Sequence, residues 1–199
     1  MKENTIPRFM VDSTETDAPA EIVMDYVISW SLRCADVQYR DSAPILHRYA
    51  RRMLAMLLGM ELDASITFER IESRKQRWSA DVTLELDVVR DGLREHHALL
   101  IEDKYYAPLR DTRDEDGVYR NQLEVYRKRF DNYYDHKSEM WHRHYALITC
   151  ISREDPKFAI YEIAPHLGYR LFSLSELLGP VRDYELTESD IFNEFWLHW

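Results

Sequence analysis

The middle of the chain carries two strand patterns joined by a turn, and this pairing constrains the fold more than any other feature. Apolar residues alternate with polar ones over residues 82–88, which predicts a strand with one buried face. Asp91-Gly92 is a hairpin-turn sequence, and the largely apolar residues 96–104 predict the next strand. A chain with this hairpin must build an antiparallel sheet and cover at least one of its faces.

Patterns typical of helices and of further strands lie on both sides of the hairpin in the sequence, and the helices could cover the sheet. Helical spacing and a capping box predict helices over residues 18–35, 43–59 and 118–134, and a last one opening at Thr187-Glu188-Ser189-Asp190. Period-two spacing predicts further strands over residues 66–71, 145–151 and 158–163, while residues 171–178 are mixed. This order predicts an α/β or mixed α+β fold on one central sheet.

Length and composition narrow the class of protein. The 199 residues show no linker or composition break, so we expect one domain over residues 1–199. No apolar run reaches the about 20 residues of a membrane helix and no signal-peptide pattern occurs, which predicts a soluble, cytoplasmic protein. Cys34 and Cys150 are far apart in apolar stretches, which predicts free thiols. The net charge of −10 opposes nucleic-acid binding, but the acidic excess lies toward the chain ends and leaves that class open.

The chemistry-bearing residues are carboxylates and a lysine at strand ends. The chain has no Gly-rich phosphate loop, nucleophile elbow or paired cysteine motif. Glu102 and Lys104 project from the same face of their strand and Asp103 from the other, and the hairpin places Asp81 across from Glu102. Two neighbouring carboxylates repel unless a proton or a cation joins them, and such oxygen-rich sites suit Mg²⁺ or Mn²⁺.

The spacing of an acidic residue two places before a lysine is not specific by itself. It recurs at Asp135/Lys137, on a predicted helix end, and at Asp155/Lys157, which flanks Pro156 in a turn. Only the pair Glu102/Lys104 stands at the end of an apolar strand. Exposed ion pairs at a strand edge are therefore the alternative to a catalytic site.

These residues and a later helix resemble the PD-(D/E)XK nuclease superfamily. The resemblance rests on Asp81, on Ile101-Glu102-Asp103-Lys104 and on Gln122-Leu123-x-x-Tyr126, and it is closest to small bacterial members with an I-E-x-K strand before a Q-L-x-x-Y helix. It covers about residues 43–152 and implies a restriction-endonuclease-like core of helix, three strands, helix and strand, with extra N-terminal and C-terminal helices. Ala80 stands where the proline of the family's name would be.

The resemblance also implies roles for the site residues. Asp81 and Glu102 would bind Mg²⁺ or Mn²⁺, Lys104 would position the attacking water, and Gln122 would line the site. The implied function is a divalent-metal-dependent nuclease acting on DNA, as an endonuclease rather than an exonuclease. The alternative is a catalytically silent nucleic-acid- or protein-binding module of the same fold, as a component of a phage-defence or mobile-element system. Whether the chain acts alone, as a homodimer or with a partner protein stays open.

Several further residues have both a functional and a structural interpretation. Glu21 and His47 are candidates for the metal site, but each also fits a structural role. Candidates for phosphate binding are Arg74, Lys75 and Arg77, which also fit a solvated loop. The histidine pairs His96-His97 and His142-x-His144 suggest a transition metal, but the sequence shows no third ligand.

Overall fold

The computed structural model describes residues 18–75, 77–179 and 185–197, which form a mixed α+β fold. The strands are β1 (Ile66–Lys75), β2 (Val82–Arg90), β3 (Leu93–Lys104), β4 (Asp111–Arg113), β5 (Tyr119–Asn121), β6 (Trp141–Thr149) and β7 (Arg170–Ser173). The α-helices are α1 (Ala18–Arg33), α2 (Pro44–Leu58), α3 (Gln122–Asp135), α4 (Ile163–His166), α5 (Leu174–Leu177) and α6 (Asp190–Phe192), which a π turn (Asn193–Leu197) continues. Short 3-10 helices cover Val37–Tyr39, Arg77–Ser79 and Pro156–Tyr161.

The central sheet has five strands in the order β1-β2-β3-β6-β7. Its first three strands are antiparallel neighbours, and the predicted turn between β2 and β3 is confirmed: Asp91 and Gly92 have φ of 51° and 80°. Both values lie in the left-handed region that two-residue hairpin turns require. Strand β6 runs parallel to β3, and β7 runs parallel to β6. A parallel neighbour requires a crossover, and α3 lies within the one that links β3 to β6.

The sheet separates two hydrophobic cores, because alternate side chains along a strand point to opposite faces. Leu99 and Ile101 of β3 pack into the core that α1 and α2 cover. Ala98 and Leu100 pack into the core that α3 covers. Continuing this alternation to the end of β3 directs Glu102 and Lys104 toward α3.

The predicted strand over residues 158–163 is wrong. The 3-10 helix Pro156–Tyr161 and helix α4 occupy this segment, and β7 at residues 170–173 provides the fifth strand of the sheet. The Asp155 side chain accepts a hydrogen bond from the Lys157 backbone N–H at 2.8 Å, and Pro156 takes the first helical position. A capped start with proline next to it favours a helical turn over an extended chain.

The start of the last helix also differs from the prediction. Ser189 is its N-cap and accepts from the backbone N–H of Phe192, whereas the capping box placed the cap at Thr187. The Thr187 hydroxyl instead donates to the side-chain oxygen of Asn193 at 2.8 Å. The helix therefore begins two residues later than the pattern predicted.

Two further observations bear on the class of protein. Cys34 and Cys150 are free thiols, as predicted. Among the described residues, none of the helices is both long and apolar enough to cross a membrane.

Candidate active site

The structure brings together the four side chains that the sequence singled out. Lys104 Nζ lies 2.7 Å from Glu102 Oε1 and 3.8 Å from Asp81 Oδ2. Gln122, from the first turn of α3, donates a hydrogen bond from Nε2 to the same Glu102 oxygen. Three chain segments thus meet at one end of the sheet, and a glutamate on the central strand β3 is their common partner.

Burial of this cluster is deeper than its place at a strand end suggests. Glu102, Lys104 and Gln122 are 2%, 5% and 4% exposed, whereas the Asp81 side chain is 26% exposed. This burial contradicts the alternative that Glu102 and Lys104 form exposed ion pairs at a strand edge. A buried ion pair costs desolvation free energy that surface pairs avoid, so its presence requires either close hydrogen bonding or a function.

Asp81 is held in place by the unusual backbone that precedes it. Trp78 and Ser79 both have positive φ, 56° and 71°, which is strained for residues with a side chain. The Trp78 ring packs edge-on against Phe130 of α3, with the ring centroids 5.6 Å apart. This anchor holds the strained turn against α3, and the Asp103 backbone N–H then donates to Asp81 Oδ2 at 2.9 Å.

Gln122 is positioned by its place at the start of α3. The N-cap Asn121 accepts a hydrogen bond from the Leu123 backbone N–H at 3.0 Å, which defines the first helical turn. The backbone of Arg110 then pairs with Gln122 twice: its N–H donates to Gln122 Oε1, and its carbonyl accepts from the Gln122 N–H, both at 2.9 Å. With its oxygen engaged in this way, the amide can present only its NH₂ group to Glu102.

The carboxyl groups of the cluster resist ionisation. Burial, together with the nearby Asp81 carboxylate, raises the pKa of Glu102 to about 8, although the Lys104 ammonium opposes the shift. Burial also raises the pKa of Asp81. Glu102 Oε2 is buried and has no hydrogen-bond partner among the described residues. An unsatisfied carboxylate oxygen beside a second carboxyl group is an arrangement that a bound cation would stabilise.

A second acidic group meets Asp81 on the other face of the sheet, and the sequence analysis missed it. Oxygen atoms of Asp25, Asp81 and Asp103 all lie within 4.8 Å of one another, and Asp25 and Asp103 are buried. Burial and the two neighbouring aspartates raise the pKa of Asp103 well above its ordinary value. The available signal was a charged residue, Asp25, next to the buried Met24 in an otherwise apolar helix. Asp81 therefore has carboxyl partners on both faces of β3.

Of the two other residues considered for the metal site, the structure describes the side chain of His47 alone. Glu21 lies in α1, but its side chain falls outside the described residues. His47 is buried, and its burial together with the charges of Arg51 and Arg40 lowers its pKa, while the Ala35 backbone and Asp36 oppose the shift. These contacts assign His47 a structural role between α2 and the segment after α1.

Two of the predicted phosphate-binding residues, Arg74 and Arg77, lie near Asp81 along the chain but are engaged in other contacts. The Arg74 side chain is 56% exposed and pairs with Glu72 at 3.5 Å. Arg77 pairs with Glu85 at 3.2 Å, and its guanidinium carbon lies 4.0 Å from the centroid of the Trp78 ring. The Lys75 side chain falls outside the described residues. Arg77 therefore contributes to holding the strained turn, and its part in phosphate binding stays a prediction.

No protein-family model matches this chain, and neither the curated proteins nor the solved structures yield a match.

Proposed function

We propose that the chain is a divalent-metal-dependent nuclease that hydrolyses phosphodiester bonds in DNA, built on a restriction-endonuclease-like core. The observation that carries the proposal is the buried contact of Glu102 with Lys104 and Gln122 beside Asp81. Two carboxylates, an ammonium and an amide from three separate segments converge there. The order of α2, β1 to β3, α3 and β6 along the chain agrees with the helix, three strands, helix and strand of that core.

The donor set suits Mg²⁺ or Mn²⁺. Asp81 and Glu102 would hold the ion, because both offer carboxylate oxygens and Glu102 Oε2 is buried with no hydrogen-bond partner among the described residues. When bound, the ion would lower the pKa of a coordinated water and polarise the scissile phosphate. Because the cluster is largely shielded from solvent, its electrostatic interactions with an entering phosphate are stronger than they would be in water.

Lys104 and Gln122 have different tasks in this proposal. The Lys104 ammonium also donates to the Asp103 carbonyl at 3.0 Å, which aims Nζ at the space between Glu102 and Asp81. From there it orients the attacking water and offsets negative charge on the phosphate. The water oxygen attacks phosphorus, the ester P–O bond breaks, and the leaving oxygen ends as a hydroxyl with the proton that the water has lost. Gln122 acts through Glu102 and is a positioning residue, because its amide sets the orientation of that carboxylate.

Basic side chains near the exposed side of the cluster support a nucleic-acid substrate despite the net charge of −10. Arg129 of α3 donates to the Ser79 hydroxyl at 3.3 Å, two residues before Asp81. Burial, Glu102 and Asp81 raise the pKa of Tyr126, and the exposed Arg110 lies close enough to this side chain to oppose the shift. Phosphate contacts dominate DNA affinity and need such cations near the reacting centre.

A cleavage assay on closed-circular plasmid tests the proposal. The purified chain should nick and linearise the plasmid with Mg²⁺ or Mn²⁺, and a chelator should stop the reaction. Linear duplex, single-stranded DNA and RNA in parallel reactions define the substrate. If none of these is cut with either ion, the nuclease proposal is wrong. DNA retardation without cleavage would then favour the binding module.

Substituting Gln122 by alanine should reduce cleavage by about ten- to a hundredfold, as losses of groups that orient a metal ligand commonly do. The variant removes a hydrogen bond to Glu102, so the pKa of that carboxyl should rise further. The pH profile of cleavage should therefore shift upward, which a purely structural defect would not cause. The exposed Gln38→Ala is the matched control and should keep both the rate and the profile. An unshifted profile in Gln122→Ala would contradict the assigned role.

A further inference from the structure

A group of imidazole and carboxylate side chains lies on β3 and β6, away from the cluster around Glu102. The register pairs His97 of β3 with His142 of β6, and Glu95 and His144 lie two residues from them on the same face. His97 is five residues from Glu102 along β3, a separation of about 17 Å in an extended strand. The two groups are therefore distinct places in the fold.

Three of these side chains converge. Glu95, His97 and His142 each offer one ligand atom, and the three atoms lie within 4.8 Å of one another. His97 Nε2 is 3.5 Å from Glu95 Oε2, and the rings of His97 and His142 stack with centroids 4.8 Å apart. Ligands about 2.0–2.1 Å from a tetrahedral zinc ion lie about 3.4 Å from each other, so small side-chain rotations bring all three into range.

Two ring nitrogens in this group are buried without a hydrogen-bond partner among the described residues, His97 Nε2 and His142 Nε2. His97 is 4% exposed. Buried polar atoms in folded proteins are almost always hydrogen-bonded, and each exception requires an explanation. Two such exceptions beside one carboxylate point to a shared ligand rather than to two separate defects in packing.

A third histidine of this group, His144, holds the His97 ring in place. His144 Nε2 lies 2.9 Å from His97 Nδ1, and His144 also hydrogen-bonds to the Leu58 backbone. One of these two ring nitrogens donates the hydrogen bond and the other accepts it. The contact orients the His97 ring so that its Nε2 faces the Glu95 carboxylate. Partners of this kind fix the tautomer and ring orientation of metal-ligating histidines.

We propose that Glu95, His97 and His142 form a transition-metal site that binds Zn²⁺. Imidazole nitrogens favour zinc over Mg²⁺, and two histidines with one carboxylate are a common zinc ligand set. A cation placed between His97 Nε2 and the Glu95 carboxylate, which lie 3.5 Å apart, would be bound by both groups. The Glu95 side chain is 56% exposed, so the site opens to solvent and leaves a coordination position for water. The proposal is independent of the proposed nuclease activity.

A zinc titration of the tag-free chain, first treated with a chelator, tests the site. Competition with a chromophoric chelator should give one tightly bound Zn²⁺, and Co²⁺ should give the visible absorption of a low-coordinate site with nitrogen ligands. His142→Gln and Glu95→Gln should each weaken Zn²⁺ binding by about tenfold or more. Glu95 is exposed, so Glu95→Gln is expected to fold even if a histidine variant does not.

Two matched variants make the result specific to this site. The exposed His166→Gln removes an imidazole elsewhere and should leave Zn²⁺ affinity unchanged. Glu102→Gln should also leave it unchanged, which separates this site from the proposed Mg²⁺ site. If the wild type binds no Zn²⁺, or if Glu95→Gln binds it as tightly as the wild type does, the proposal is wrong and the contact between His97 and Glu95 is an ordinary polar pair.

Discussion

Lys104→Gln should lower the rate of DNA cleavage by about a thousandfold, the loss expected when a group that orients the nucleophile and stabilises transition-state charge is removed. Glutamine retains a donor for Glu102, so the buried carboxylate keeps one hydrogen bond and the fold should survive. The cleavage rate with Mg²⁺ and the circular dichroism spectrum measure the two expectations. Mn²⁺ affinity should change little, because the lysine is not a proposed ligand.

The matched control for Lys104→Gln is Lys157→Gln. Lys157 follows Asp155 with the same spacing that Glu102 and Lys104 have, but it is exposed, at the start of a 3-10 helix. The control should cleave at the wild-type rate. If the two variants cleave equally well, Lys104 has no catalytic role and the proposed mechanism fails at this residue.

Without divalent cations, the free energy of unfolding should fall as the pH rises from about 4.5 to about 8. Burial and Asp81 raise the pKa of Glu102 from its ordinary 4.5 to about 8, so in this range the folded chain retains a proton that the unfolded chain has released. The folded state binds more protons, and stability therefore decreases with pH. The contribution is complete below pH 4.5 and lost above pH 8. Asp81 and Asp103, whose pKa values are also raised, add in the same direction.

Glu102→Gln provides the comparison, because glutamine is neutral at every pH. Its melting temperature in a chelating buffer should decline less between pH 5 and pH 8 than that of the wild type. Mn²⁺ should raise the wild-type melting temperature more at pH 8 than at pH 5, because protons compete with the cation for the carboxylates. A site at a hundredfold excess of cation over Kd adds about 2.7 kcal/mol to stability.

The same melts decide whether Glu102 binds the ion. The Mn²⁺-induced rise at pH 8 should be much smaller in Glu102→Gln than in the wild type. Asp190→Asn, at the exposed start of α6, should behave as the wild type does. Equal rises in Glu102→Gln and the wild type would show that Glu102 is not a metal ligand, whatever the result of the zinc titration.

Local patterns predicted the elements whose neighbours in space are also neighbours in sequence. The alternation over residues 82–88, the turn at Asp91-Gly92 and the apolar approach to Glu102 predicted the β2–β3 hairpin. This hairpin brings Asp81 within 3.8 Å of Lys104. A hairpin pairs its strands through a short turn, so period and turn chemistry suffice to predict its register. They do not predict burial, and the depth of Glu102 and Lys104 depends on α3 and the core beneath it.

The segment at residues 158–163 shows where local patterns fail. Its apolar residues fit a strand, but the cap at Asp155 with Pro156 directs it into a helical turn, and Phe158 and Tyr161 are buried against the sheet instead. Buried residues in a short helix and in a strand carry the same hydrophobicity. The apolar pattern alone does not distinguish the two, whereas the cap at Asp155 and Pro156 do.

The sequence by itself determined the alternating hairpin, the helical faces and the residue types that carry chemistry, because each follows from a period of two or 3.6 residues within one segment. Tertiary structure alone decided that Asp25 meets Asp81 and that His97 pairs with His142. The first contact depends on how α1 packs across the sheet. The second depends on the register of two parallel strands joined by a long crossover. Neither is recorded in the local pattern of either partner, because packing and parallel register are settled by contacts between segments distant in the chain.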